Sequence, residues 1–468
     1  MTNTDNRQPL RDIIHKLEVK NIRSLSLRKL SFYLSLCFGG VVLAVAVFIF
    51  AFGSAILNHY GKEKVERAFA EANPGYALRF GGLNYAVGAN RLIAQSVTLG
   101  STNFTFKVGR VSLTGVSWLR LLWGKASLAD VFTKAGLDAT NLALEFSQAH
   151  YELRCARLRA SVPGSELIAE GIELKLLIED GAFLAAKTFR TTRFHVVVPE
   201  LKVLGLAYGE LLRGKSYQAK SVHFSSPTFD ALVSRDKIPE PFVKSPLMVH
   251  EALASIRKPL QVDSLSITDG QVKYSERMAV GADPGVLTFG GVSMSVEGIT
   301  NRSEANAVIQ LKAQGDIMNA GTLKVLMSIP ITPQNFFLHY SGSLSAIDLT
   351  RLNAFLDIAE RTRIESGKVQ EVSYEIDVAA GKASGRVLAN YKDFKISVLH
   401  KQIGNEKGEV NRIASFLAKV FKIRKSNTPR KSHTMNEGKV NYKRRPEDTF
   451  VQFAWFALRS GVLDVISR

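Results

Sequence analysis

Two cysteines in 468 residues are too few to staple a fold together. Cys37 lies inside an uncharged apolar run and Cys155 far beyond it, so stability must come from burial and sheet hydrogen bonds rather than from disulfides. Histidine is equally sparse: of nine, no two are closer than the 27 residues between His223 and His250. With no HExxH and no CxxC, a local metal motif is excluded. There is no GxSxG elbow for a serine nucleophile. Gly290-Gly291 lacks the Lys-Ser/Thr ending of a phosphate loop and reads as a strand junction. Asp348, Asp357 and Glu360 are accompanied by Arg351, Arg361 and Arg363, which reads as a solvated ion-paired face. No catalytic residue, metal or cofactor is expected, and the chain reads as a non-enzyme.

Acids are also in short supply, 42 against 61 Lys and Arg, for a net charge of +19. The excess is uneven. Residues 400–468 hold 15 basic and 6 acidic residues, and Lys419–Arg445 holds ten basic residues against one acid, Glu437. In that segment Lys422, Arg424, Lys425, Arg430, Lys431, Lys443, Arg444 and Arg445 are candidates for an anionic surface, lipid headgroups rather than nucleic acid. Its polar core, KSNTPRKSHTMNEGK, reads as a solvated loop.

What is present is one long uncharged run, Leu30 to Gly61. Its densest part, Phe32–Phe52, has 21 residues, which at about 1.5 Å each reach across a hydrocarbon layer of about 30 Å. The 29 residues before the run are too many for a secretory leader, so an uncleaved transmembrane helix over 30–58 is expected. Seven Lys and Arg precede it against three acids, whereas Lys62, Lys64 and Arg67 are interleaved with Glu63, Glu66 and Glu71. Positive residues stay inside, so the tail 1–29 is expected in the cytoplasm and everything from 62 onward across the membrane.

Beyond the run the dominant pattern is alternation of apolar and polar residues, the mark of half-buried strands. Phe104, Phe106 and Val108 alternate, as do Phe194, Val196 and Val198, Leu323 to Ile329, Val372, Tyr374, Ile376 and Val378, and Phe394 to Val398. Asp269-Gly270, between Ile267 and Val272, has the composition of a two-residue hairpin turn. A shift of 90 residues lays Phe104–Lys125 over Phe194–Lys215 without a gap, matching Gly115 to Gly205 and Gly124 to Gly214. Upstream, Leu92-Ile93-Ala94 matches Leu167-Ile168-Ala169, with 15 extra residues intervening in the second copy. Stacked strand units of this kind form an extended sheet. Helices are expected at 345–361, opened by a Ser345/Asp348 capping box, at 412–423 and at 449–463.

YKDFKISVL (Tyr391–Leu399), ASFLAKVF (Ala414–Phe421) and FVQFAWFALRSGVLDVI (Phe450–Ile466) together resemble the end of AsmA-like proteins of bacterial envelopes. The duplicated unit ending in LLWGK or LLRGK, and LQVDSLSITDGQVKY (Leu260–Tyr274), look like that family's strand repeats. The resemblance implies a bacterial inner-membrane protein whose periplasmic β-sheet groove carries phospholipid, as in chorein-like bridge proteins, in support of outer-membrane biogenesis. It brings no catalytic residue with it.

The expected fold is therefore mostly β: an N-terminal transmembrane helix, then an elongated, curved antiparallel β-sheet groove built from repeats, with a few short helices. The expected divisions are a basic tail at 1–29, the span at 30–58, repeated β regions at 62–258 and 259–400, and a basic loop with C-terminal amphipathic helices at 401–468. Candidate groove residues are Phe104, Phe106, Val108, Phe194, Val196, Val198, Val372, Tyr374 and Ile376, with the inward face open because a one-residue slip reverses it. The expected partners are the membrane, phospholipid and an envelope protein docking on the C-terminal helix. The competing expectation is an anchored scaffold whose sheet closes over a dry core.

Overall fold

A computed structural model describes residues 66–399 apart from 68, 72, 74, 118–126, 239, 241–244, 303–306 and 332–335, together with 423–429 and 434–467. Nineteen strands form one sheet. Two short strands, β1 (Ala77–Arg79) and β2 (Gly82–Ala86), share β3 (Arg91–Gly100) as neighbour. Antiparallel pairing then runs through β4 (Thr105–Thr114), β5 (Gly136–Phe146), β6 (Tyr151–Ser161), β7 (Glu166–Leu176) and β8 (Thr192–Leu204). The next position is shared end to end by β9 (Tyr217–Ser225) and β10 (Thr228–Ser234), both beside β8. After them come β11 (Leu260–Arg277), β12 (Gly285–Thr300), β13 (Val308–Ile317), β14 (Gly321–Pro330) and β15 (Phe337–Leu344). The far end is β17 (Thr362–Ala379), which also pairs with the two-residue β16 (Ile347–Asp348), then β18 (Lys382–Val398) and β19 (Glu437–Lys443).

The sheet is mixed, not purely antiparallel, because β9 and β10 both run parallel to β11. The connection after β10 travels back along the sheet before β11 begins, as a parallel neighbour requires. Asp269-Gly270 is not a hairpin turn: β11 passes straight through it. The register to β9 and β10 is the same on both sides, Leu260 facing Tyr217 and Gln271 facing Thr228, while the pairing with β12 is interrupted there. Asp269 takes φ 54°, so the turn-like composition serves a bulge inside a strand.

That bulge belongs to a line of irregular positions crossing the sheet. Ser96 in β3, Gly109 in β4, Asn141 in β5, Ala156 in β6, Gly171 in β7 and Pro199 in β8 are each skipped by the ladder between in-register neighbours. Ser226, between β9 and β10, and Gly291 in β12 continue it. All are exposed, and Ser96, Asn141, Gly171, Ser226, Asp269 and Gly291 have positive φ. The alternation changes phase at each one: Leu92 and Ala94 are followed by Val97 and Leu99, and Phe106 and Val108 by Val111 and Leu113. The extra residue keeps both halves of each strand pointing their apolar side the same way, and it bends the strand.

The duplication has structural counterparts. Gly109 and Pro199, 90 residues apart, occupy equivalent irregular positions. Gly115 and Gly205, also 90 apart, both turn the chain out of their strands at φ 69° and 66°. A Cβ on Gly115 would be driven into the backbone carbonyl of Lys134. Gly115→Ala is therefore expected to cost at least about 2 kcal/mol, the left-handed penalty plus displaced backbone, readable as a lower midpoint in urea with an unchanged slope.

Helices are few. α1 (Leu128–Val131), α2 (Asp180–Ala185), α3 (Tyr208–Leu212) and α4 (Val249–Ala254) are single turns or little more. Where a helix was expected over 345–361, β16 is followed by a 3-10 turn (Leu349–Leu352) and α5 (Asn353–Ala359). Asp348 is the cap, accepting from the Thr350 amide at 3.0 Å, while the Ser345 hydroxyl accepts from the Thr322 amide at 2.8 Å. Among the described residues the one long helix is α6 (Phe450–Ile466), opened by a true capping box in which Gln452 N donates to Thr449 Oγ1 and Thr449 N donates to Gln452 Oε1. Among the described residues no helix is long and apolar enough to cross a membrane; the predicted span at 30–58 and all but Ile423 of the predicted helix at 412–423 lie outside them.

Candidate functional site

The pairing registers place apolar residues opposite one another from strand to strand. One such rung runs Leu92, Leu113, Leu137, Ala160, Leu167, Val203, Val222 and Leu265. It continues through Val296, Leu311, Met327, Tyr340, Ile376, Gly385 and Val440. Two residues along each strand lies a parallel rung, which passes through Ala169, Leu201, Phe224, Ile267, Met294, Ala313 and Val325. No charged side chain interrupts the first rung between β3 and β19. At about 4.8 Å per strand it is roughly 65 Å long.

The two ends of this face are covered. Near the start, Phe132 and the α2 residues Phe183 and Leu184 pack with Phe106, Val108, Leu142 and Leu144 in one core. At the far end α6 lays Phe453 and Ala457 over Tyr340, Tyr374, Ile376 and Val387, while Val465 joins a smaller core with Tyr391 and Phe394. Between β9 and β14 the face is different. Phe224, Ile267, Met294, Ala313 and Val325 on the second rung, and Val222, Leu265 and Leu311 on the first, are only half-buried and belong to none of the three cores, whereas Val296 and Met327 on the first rung pack against the far core with Val249 and Leu253 of α4. That stretch is about 20 Å across at the same spacing.

All nine groove candidates named from sequence stand on this apolar face. Phe106 and Val108 are buried in the first core, with Phe104 half-buried against Tyr76, ring centres 6.2 Å apart. Val198 is buried, Val196 half-buried, and Phe194 half-buried with its ring 5.8 Å from that of Phe229. Tyr374 and Ile376 are buried beneath α6 and Val372 is half-buried beside them. Desolvation pushes the Tyr374 hydroxyl up to about 12, in keeping with a dry setting. The candidates thus divide between the two covered ends. The open stretch went unnamed because its alternation is broken by Ser226, Asp269 and Gly291; reading the two halves of each strand with a one-residue phase change recovers it.

The basic candidates are not assembled into one surface. Lys422, Arg430 and Lys431 lie outside the described residues. Arg424 caps the C-terminus of α6, its Nη1 donating to the Val465 carbonyl at 2.6 Å, with Lys425 exposed alongside. Lys443, Arg444 and Arg445 are near the helix's other end, and Arg444 Nη2 donates to the Pro246 carbonyl at 2.6 Å. A helix of 17 residues separates the two groups by about 25 Å. Among the described residues no cluster of three or more His, Cys, Asp or Glu is arranged to hold a metal ion. No family model and no curated protein matches this chain.

Proposed function

We propose that the chain is an inner-membrane-anchored, periplasmic protein that binds or conducts phospholipid along an apolar β-sheet groove, in support of outer-membrane biogenesis. The observation that carries this reading is the unbroken pair of apolar rungs, the second of which is left unclad between β9 and β14. An unclad stretch of about 20 Å matches one leaflet's depth of acyl chain, about 15 Å, half of the hydrocarbon layer. Removing a dozen methylenes from water is worth about 10 kcal/mol, so the face holds a chain against water. Removing them from a bilayer is worth little, since the starting solvent is equally apolar, and a face of this kind exchanges chains with a membrane at small net cost. The uncharged run at 30–58, with its basic flank, supplies the anchor in this reading. The scaffold reading draws on α6, which leaves Val451 and Trp455 73% and 53% exposed.

A photo-crosslinking amino acid at Ile267 or Phe224 of the full chain, irradiated in intact membranes, is expected to form a phospholipid adduct. The same group at Lys312, exposed on the opposite face, is expected to form none. Equal labelling at both, or none at the rung positions, refutes the proposal and leaves the scaffold.

A further inference from the structure

The side of the sheet turned away from the apolar rungs carries a cluster of positive charge within a concavity. Arg91 of β3, Arg110 of β4, and Arg157 and Arg159 of β6 line a half-open depression of about 550 Å³, within the size range of small-molecule sites. Ser112, Thr114 and Thr140 add hydroxyls to its wall, and Gly136 leaves its floor bare: a Cβ there would stand 3.0 Å from Thr114 Oγ1. The residues fall on three polar rungs: Arg91 faces Thr114; Ser112 faces Asp138, which faces Arg159; and Arg110 faces Thr140, which faces Arg157.

Two of the four guanidinium groups are already matched. Arg157 grips Asp138 in a two-point bridge, Nε to Oδ1 at 3.0 Å and Nη2 to Oδ2 at 2.7 Å, and Arg159 bonds Glu170. The Arg157 hydrogen bond, helped by the charges of Arg157, Arg159 and Arg110, holds the Asp138 carboxyl below its usual range. Arg91 and Arg110 are exposed and form no ion pair or side-chain hydrogen bond among the described residues. Four positive groups against two carboxylates leave two charges unmatched. A strand pair gains nothing from placing two unmatched cations beside two matched ones, unless something anionic joins them.

The geometry points to a binding site for a phosphoryl group on this polar face. Two free forked donors and the hydroxyls of Ser112 and Thr140 exceed what a carboxylate's two oxygens accept, and they suit the oxygens of a phosphate mono- or diester; the Thr114 hydroxyl already donates to the Gly136 carbonyl. The remaining volume accommodates a glycerol- or sugar-sized substituent. The site stands on residues of the face opposite the rungs, so it holds whether or not those rungs carry lipid.

The test uses the full chain in neutral detergent, with inorganic phosphate, glycerophosphoglycerol and dihexanoylphosphatidylglycerol as probes, read by calorimetry at low and high salt. Saturable binding of at least one probe that weakens with salt is expected. The double variant Arg91→Gln/Arg110→Gln, which removes exposed groups without stranding a partner, should weaken it about tenfold or more. Asp138→Asn should tighten it severalfold, by removing a repelling carboxylate and releasing Arg157. Lys312→Gln, an exposed cation of the polar face outside the depression, should leave glycerophosphoglycerol binding unchanged. Binding of the two glycerol esters without inorganic phosphate identifies a lipid headgroup as the source. Comparable binding of all three identifies soluble phosphates. No saturable binding of any probe, or binding indifferent to the double variant, overturns the proposal.

Discussion

Ile267→Glu is expected to leave the protein folded and strip it of bound phospholipid, whereas Ile376→Glu is expected to unfold it. The two isoleucines occupy neighbouring apolar rungs, yet their surroundings differ. Ile376 is fully buried, held between Tyr340 on β15 and the residues beneath α6. A carboxylate there has no partner and no route to water, a cost of several kcal/mol that a sheet end of this size does not survive. Ile267 is half-buried and belongs to none of the three cores, so a glutamate there turns its head to solvent and costs about 1 kcal/mol or less. On the proposed function it is the bound lipid that suffers. An acyl chain lying across Phe224, Ile267 and Met294 meets a charge in mid-course, and losing contact with even three or four methylenes, at about 0.8 kcal/mol each, lowers occupancy roughly a hundredfold. Lipid phosphorus per mole of purified protein measures the first effect and near-ultraviolet circular dichroism the second. An Ile267→Glu protein that keeps its lipid removes the open face from the proposal.

The strands themselves were legible because each half of a strand alternates cleanly: Phe106 to Val108, Val372 to Val378 and Phe394 to Ile396 all fall in strands, on the side expected of apolar residues. The line of bulges was not legible, since a residue inserted into a strand looks locally like the end of one. Asp269-Gly270 shows the difficulty most plainly. The same two residues close a hairpin or form a bulge with positive φ, and which one occurs depends on a parallel neighbour, β9 and β10, that lies more than 35 residues upstream. Parallel pairing leaves no local mark in sequence, so the mixed character of the sheet was hidden for the same reason. The polar site was hidden differently. Arg91, Arg110, Asp138, Arg157 and Arg159 are scattered over nearly 70 residues and converge only through the registers of β3 to β6.

Phe453→Ala is expected to lower stability by about 3 to 5 kcal/mol, and Trp455→Ala by less than about 0.5, although the tryptophan is the larger side chain. The contrast follows from which side of α6 meets the sheet. Phe453, Ala457, Gly461 and Val465 recur at four-residue intervals and are buried, while Trp455 is 53% exposed. The helix also does something that apolar packing alone does not achieve. Among the described residues β19 is the last strand, and its outward amides have no further strand to pair with. Two of them are taken by α6 instead: Lys439 N donates to Asp464 Oδ2 at 2.7 Å and Asn441 N to Ser460 Oγ at 3.1 Å. Asp and Ser are short side chains, so the helix backbone must come very close to the strand. Glycine permits it: a Cβ on Gly461 would stand 2.6 Å from Val387 Cγ2 and 2.7 Å from Val440 Cγ2, and one on Gly438 would be driven into the Gly461 carbonyl. Gly438→Val is therefore the more damaging change. It lifts the helix off the strand, breaks both edge hydrogen bonds and uncovers the end of the apolar rungs at Ile376, Gly385 and Val440 together. The expected readouts are a fall in melting temperature of roughly 5 to 10 °C for Phe453→Ala, more for Gly438→Val, and rapid proteolysis within 444–449 in the latter alone. An edge opened in this way is also a template for pairing with another chain, so the Gly438→Val protein should form soluble oligomers on size-exclusion chromatography. If it stays monomeric and protease-resistant, α6 is a passenger on the sheet and not the element that closes its edge.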